Sequence, residues 1–555
     1  MSKNQGFSNE LMAYSLQNAI EFGKAIPGKI LPKLFQHGLK KEDIGKIMPA
    51  INESVKKVNS MSDEERVEAF EKFKGFVKEH VQEERDLPEL PGISGKPIFR
   101  MAPFPSGALH IGNAKTYLLN AIYSERYDGK LVLVMDDTIG SEEKQPIKEA
   151  YGLIEDAFKL LKINYSKPIV YKSDRLKIYY DYAEKLIKKD KAYVCFCTQA
   201  EFKRIKDAGQ ECGCRRFPQD VHLLRWKELF KMEEGHGVLR IKTDMQHPNP
   251  AFRDRVLFKI SDRKHPRVGE KYRIWPTLEM SWAIDDHLLG ITHIIRGNDL
   301  VMESEMERYI WDIFSWKHPE IIHTGLIKID GAGAKVSKSK AQKEVQSGEF
   351  MGWNDPRTWS VQSLIERGIT AEAINEFVKE IGLNRQDITV PIEALYAANR
   401  RIIDSESLRY SFILNPVKLD IKNNPEVKEV KIPVHPDKKD MRSVEINDIY
   451  IQGNDANKYF GKKVRLLHLF NVKIDKKSEV DSIDIEDAKK MPKINWVSEH
   501  VKARILMPNG EWIEGIAEKD VSKLKSGEMI QFERFGFVKY HGKKNDAYEF
   551  WFAHG

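Results

Sequence analysis

The sequence predicts an α/β core: a parallel sheet of βαβ units, interrupted once by an inserted domain, with a helical extension before it and antiparallel β-barrels after it. Three observations carry this. Between 97 and 188, short apolar runs alternate with helix-period stretches of about fifteen residues, the grammar of parallel strands joined by helices. The alternation stops near 192 and resumes near 291, and all 4 cysteines fall in the gap. From 416 onward the apolar runs are short and separated by turns such as Pro508-Asn509-Gly510, the spacing of barrel strands.

The elements follow in order. Leu11, Met12, Leu16, Ala19 and Ile20 recur at helical spacing, as do Ile44, Ile47, Met48, Ile51 and Val55. Ser62-Asp63-Glu64-Glu65 is a capping-box start for a helix expected to bury Val67, Phe70, Phe73 and Val77. Prolines and glycines from Asp86 to Gly95 punctuate a boundary. A strand at 97–101 enters a Pro/Gly turn and a helix at Ile111–Arg126. Lys130–Met135 is a buried strand, with a helix near 147–161 after it. A strand at 169–171 and a helix at 174–188 complete the first half. After the insert come a strand at 291–296 and a helix at 304–314, then helices from 353 to about 409.

Composition bounds the function. The 555 residues suggest three to four domains at about 150 residues each. With 41% hydrophobic and 31% charged residues the chain is a globular protein rather than a disordered one. A net charge of +7 permits a polyanionic partner without requiring one. No stretch approaches the ~18 apolar residues of a membrane span. Met1-Ser2-Lys3-Asn4-Gln5 has no apolar core behind a basic end, so a secretory leader is not expected and the cytoplasm is the expected compartment.

Two segments carry chemistry. In Arg100-Met101-Ala102-Pro103-Phe104-Pro105-Ser106-Gly107-Ala108-Leu109-His110-Ile111-Gly112-Asn113 the first strand turns into its helix, which aims backbone N–H groups at an anion. Gly112 has no Cβ to keep a flat base or a phosphate away, and His110 and Asn113 can donate to phosphate oxygens. Farther on, Lys335-Val336-Ser337-Lys338-Ser339 follows the Gly-rich loop Asp330-Gly331-Ala332-Gly333-Ala334, and its lysines and hydroxyls suit phosphates whose charge shifts during reaction. An ordinary capped turn and a solvated basic loop are the plainer alternatives.

Together these segments resemble the paired signatures of the class I aminoacyl-tRNA synthetases, and the chain resembles the archaeal-type glutamyl-tRNA synthetases in particular. Asp136-Asp137-Thr138, Ile284-Asp285-Asp286-His287, the run from Gly290 to Gly297, Trp353-Asn354-Asp355-Pro356-Arg357 and Arg367-Gly368-Ile369-Thr370 extend the resemblance. It implies a Rossmann-like sheet split by an acceptor-binding insert, a helical subdomain, and barrels that read an anticodon. The implied domains are an extension at 1–94, catalytic halves at 95–190 and 278–344, the insert at 191–277, a helical subdomain at 345–412 and barrels at 413–555.

The implied reaction is ligation of L-glutamate to tRNA through an adenylate, using ATP with Mg2+, by a monomer. His110, Gly112, Asn113, Lys335, Ser337 and Lys338 would bind ATP, with His110, Asn113, Lys335 and Lys338 acting in catalysis. Asp136 would meet the substrate ammonium, and Arg100 and Arg296 the side-chain carboxylate. A glutamine amide would point donors at these donors. Phe104, Asn113, Leu278 and Val336 depart from the family pattern. A glutaminyl enzyme and a noncatalytic tRNA-binding paralogue are the alternatives.

Cys195-Phe196-Cys197 and Cys212-Gly213-Cys214 form two short knuckles whose four thiolates could close on one structural Zn2+. Two disulfides or an iron–sulfur cluster are the rival readings. Lys462, Lys463, Arg465, Arg534, Phe535, Lys539 and Tyr540 interleave charge and aromatics on the C-terminal strands, a pattern for RNA contact or for a solvated surface, with Arg465 the first to test.

Overall fold

The computed structural model describes residues 7–78, 86–139, 145–330, 338–423, 427–488 and 491–555. It divides into two compact units, Met1–Arg85 and Asp86–Gly555.

The first unit packs four helices, α1 (Ser8–Phe22), α2 (Pro27–Leu34), α3 (Ile44–Asn59) and α4 (Asp63–Phe73), around Leu11, Leu16, Ile30, Ile51 and Val58. The capping box forms as expected: Glu65 N donates to Ser62 Oγ at 3.2 Å and Ser62 N to Glu65 Oε2 at 2.8 Å. One burial expectation fails, since Val67 is 52% exposed. Arg66 turns inward instead and donates to the terminal carbonyls Gly23 O, Val58 O and Asn59 O. These carbonyls stand at the ends of α1 and α3, and with Arg66 turned in toward them Val67 faces outward.

The second unit begins at Asp86. The segment after it belongs to this core: Leu87 and Leu90 are buried there, and Tyr123 Oη donates to Pro88 O at 2.8 Å. The extension expected over 1–94 therefore ends, as a compact unit, at Arg85.

Its centre is a five-stranded parallel sheet. The chain runs β1 (Ile98–Met101), α5 (Ile111–Arg126), β2 (Lys130–Met135), α6 (Lys148–Leu160), β3 (Ser166–Tyr171) and α7 (Leu176–Lys188). An antiparallel insert follows, with β4 (Ala192–Cys195), α8 (Gln199–Asp207), α9 (Gln219–Leu229), β5 (Val238–Ile241), β6 (Val256–Ile260) and β7 (Ile274–Pro276). The parallel sheet resumes through α10 (Leu278–Leu288), β8 (His293–Gly297), α11 (Val301–Phe314) and β9 (Glu320–Thr324). Its strand order β3-β2-β1-β8-β9 reverses direction at β1. Crevices for ligands open at the C-terminal ends of strands at such a point, and the turn after β1 lies there.

Next come β10 (Ile327–Asp330), α12 (Lys338–Gln346), α13 (Val361–Arg367), α14 (Ala371–Ile381), β11 (Ile388–Pro391) and α15 (Ile392–Ile403). The helical expectation for 353–409 misses β11, which pairs in parallel with β10. The C-terminal region was expected to be antiparallel; it is mixed. In its seven-stranded sheet Leu408–Tyr410 pairs in parallel with Met529–Phe532, and His500–Leu506 with Ala547–His554. These pairings join strands far apart in sequence, where local turn signals give no direction.

Candidate active site

The signature turn folds because its parts satisfy one another. Asp136 N donates to Pro103 O and Ile147 N to Pro105 O, so the turn is sewn to the segment after β2. His110 caps α5, its Nδ1 accepting from Gly112 N at 3.1 Å. The neutral ring consequently carries its proton on Nε2, where it is a donor. A Cβ on Gly112 would stand 3.0 Å from His110 Cε1, so here the glycine makes room for the histidine ring itself. Asn113 is exposed in the first turn of α5.

These residues border a cavity of about 1170 Å³ that also reaches Arg100, Asp136, Trp282 and Arg296. One cavity thus gathers His110, Gly112, Asn113, Arg100, Asp136 and Arg296, and Phe104 and Leu278 line it as well. Lys335 and Ser337 lie outside the described residues, as does the side chain of Lys338, whose backbone opens α12. Gln342 and Gln346 of that helix line the cavity.

Both arginines are buried and held by carboxylates. Arg100 Nε and Nη2 donate to Asp286, at 2.5 and 3.1 Å, and Arg296 Nη1 and Nη2 to Glu307, at 2.8 and 2.5 Å. Burial works against the Arg100 charge, but Asp286 overcomes it and holds the guanidinium above its ordinary pKa. Burial raises the Glu307 carboxyl, with Arg296 opposing. Arg296 Nε has no hydrogen-bond partner among the described residues. Asp136 already carries an ammonium partner, Lys172 Nζ at 2.9 Å, which also donates to Ser281 Oγ. Burial lowers the Lys172 pKa and Asp136 opposes it.

The sequence reading did not single out Asp286, Glu307, Lys172 or Trp282 as members of this site. One signal was available: Asp285-Asp286 sits inside an apolar helical run, and buried acids there require cationic partners. The partners are Arg175, 2.7 Å from Asp285, and Arg100.

Comparison with known proteins decides the assignment. Residues 98–405 match the family described as tRNA synthetases class I (E and Q), catalytic domain; residues 407–489 and 488–541 match the anticodon-binding domains of the same group. The chain belongs to this family. It is 37% identical over 552 residues to the glutamate–tRNA ligase of Methanothermobacter marburgensis, covering 98% of each chain. It is 39% identical over 570 residues to that of Pyrococcus furiosus, covering 98% of this chain and 99% of the other. The Methanocaldococcus jannaschii enzyme is 36% identical over 559 residues, with 98% and 99% covered.

In this class I synthetase the four cysteines converge, as a metal site requires. All four Sγ atoms lie within 4.8 Å of one another, with Cys195–Cys212 at 3.8 Å and Cys197–Cys212 at 3.2 Å. Zn–S bonds of about 2.3 Å imply a tetrahedron edge of about 3.8 Å. All four are free thiols in this structure. Burial pushes the Cys195 thiol up to about 11, a penalty on thiolate that a divalent cation would reverse.

The synthetase's C-terminal basic residues mostly have internal partners. Arg465 is buried and donates to Asn471 Oδ1 and Ile483 O, so it braces its own sheet and is a poor first choice for RNA contact. Arg534 pairs with Asp455, Lys463 with Asp481, and Lys539 donates to Ile365 O. No described helix is long and apolar enough to cross a membrane.

Proposed function

We propose that the protein joins L-glutamate to tRNA in the cytoplasm, as a monomer, in two steps at the cavity beside His110. The substrate α-carboxylate, with a pKa of about 3.5, is already ionised and attacks the α-phosphorus of ATP without a general base. Pyrophosphate leaves and an enzyme-held glutamyl-adenylate remains. A hydroxyl of the terminal tRNA adenosine then attacks the glutamyl carbonyl, releasing AMP. The protein's task is to position these groups and stabilise charge. His110 Nε2–H, the Asn113 amide and the N-terminus of α5 would receive the phosphates, and Lys335, Ser337 and Lys338 the departing pyrophosphate. Mg2+ bound to ATP supplies further charge neutralisation.

The observation that carries this reading is the placement of two buried guanidiniums, Arg100 and Arg296, each fixed by its own carboxylate, in the wall of the same cavity as the His110 cap. Their donors suit the oxygens of a side-chain carboxylate, and the glutamate–tRNA ligase relatives support the choice. Asp136, together with Lys172, would set the ammonium end. A second reading, glutamine, is favoured by one fact: Asp286 and Glu307 already neutralise both guanidiniums.

The cysteine cluster would hold a structural Zn2+ that fixes the insert, and the insert at 191–277 would receive the acceptor end of the tRNA. The domains after 407 would bind the anticodon arm. ATP–pyrophosphate exchange with glutamate, glutamine or neither, with and without tRNA, tests the substrate. Glutamate-dependent exchange is expected; exchange driven by glutamine alone would give the second reading instead.

A further inference from the structure

Among the described residues, Trp282 is the one aromatic residue against which three buried cations gather. The Arg100 Cζ lies 4.7 Å from its ring centroid, Lys172 Nζ 4.8 Å and Arg296 Cζ 5.2 Å. The cations come from three elements, β1, the turn after β3, and β8, while Trp282 sits on α10 and is 5% exposed. Each cation also has its own carboxylate: Asp286, Asp136 and Glu307 respectively. Asp286 lies one helical turn beyond Trp282, on the same face of α10.

Three like charges around one point repel, and their carboxylates pull them toward three different elements. The negative π face of the indole supplies the shared attraction that keeps the guanidiniums together. Trp282 also lines the cavity, and its Nε1–H is buried with no hydrogen-bond partner among the described residues.

We propose that Trp282 is a positioning residue for amino-acid selection: its indole sets the separation of Arg100 and Arg296 and so the fit of the substrate side chain between them. The inference rests on the amino acid lying at these arginines, as in the proposed function. An aliphatic residue of similar reach would leave each guanidinium to follow its own carboxylate, opening the donor array. Amino-acid binding then weakens, while ATP and tRNA, held elsewhere, are unaffected.

The test compares W282F, which keeps a π face, with W282M, which fills the space without one. Steady-state aminoacylation is measured with glutamate and with glutamine, together with the KM for ATP and tRNA and a thermal melt. For W282M the expected result is an increase of about tenfold in the KM for the amino acid and a comparable loss of preference between the two amino acids. The KM values for ATP and tRNA stay within about twofold, and W282F lies closer to wild type than W282M. Unchanged amino-acid KM and preference in a folded W282M, or equal losses in the two variants, would overturn the proposal. Should W282M fail to fold, W282F decides: a loss of preference as large as that of R296K would also overturn it. The wild-type enzyme separates the two claims, because charging with glutamine alone would refute the glutamate assignment and leave the effect of Trp282 on the accepted amino acid readable.

Discussion

A methyl group at position 112 would meet the His110 ring at 3.0 Å, so Gly112→Ala must displace the imidazole that caps α5. Displacements of about 1 Å beside a reacting phosphate cost on the order of 10²-fold. The contact at 3.0 Å asks the ring to move by only a fraction of that, so G112A should slow pyrophosphate exchange by less than this factor while tRNA affinity, measured by filter binding, stays near wild type. A second residue-level prediction concerns Arg296. Arg296→Lys keeps a cation opposite Glu307 but breaks the two-point pair that fixes it at the cavity wall, so glutamate-over-glutamine preference in kcat/KM should fall by about tenfold or more. An unchanged ratio would take Arg296 out of substrate recognition. Arg100, Asp136 and Arg296 were legible only through the family resemblance, and the structure puts them at or just beyond the C-terminal ends of β1, β2 and β8. Their counter-charges were not legible. Asp286 lies 186 residues from Arg100, and only the closed sheet brings the two together.

At the scale of elements, Lys115 ties the signature helix to the far side of the crevice. From α5 its buried ammonium donates to Thr324 Oγ1 at 2.8 Å and Gly325 O at 2.9 Å, where β9 leads toward β10. Burial lowers its pKa to about 8. The usual lysine value is about 10.4, so between about pH 8 and 10.4 the unfolded chain holds the proton more firmly than the folded one. The Lys115 contribution to stability thus rises with pH across that window, the reverse of a lysine that gains an ion pair. Denaturant melts of wild type and K115M as a function of pH should show a rise in the first that the second lacks. The helices were legible wherever periodicity and caps coincided, and α5 runs over the expected residues, Ile111–Arg126. The short strand β11 was not, since the alternation of Ile388–Pro391 runs for only 4 residues between helical neighbours.

Across the whole second unit, the insert interrupts the sheet between β3 and β8 and brings the cysteine cluster with it. Its presence was legible as a break in the βαβ rhythm, and its cysteine pairs as two knuckles. The mixed pairing of the C-terminal strands and the internal engagement of Arg465 depend on long-range contacts that no local pattern encodes. Purified protein should contain one zinc per chain, and Cys212→Ser should lose it. That loss should lower the melting temperature and reduce transfer to tRNA more than pyrophosphate exchange, because the cysteines lie in the insert rather than at the His110 turn. Equal losses in both steps would place the cluster's influence on the nucleotide site. The account stands above all on one cavity selecting one amino acid for tRNA. Aminoacylation of purified glutamate and glutamine tRNAs, with glutamate and glutamine each supplied alone with ATP, tests this most directly. Glutamate attached to tRNA, with pyrophosphate released in step and no charging by glutamine, is the predicted result; efficient charging by glutamine, or none by either, would contradict it.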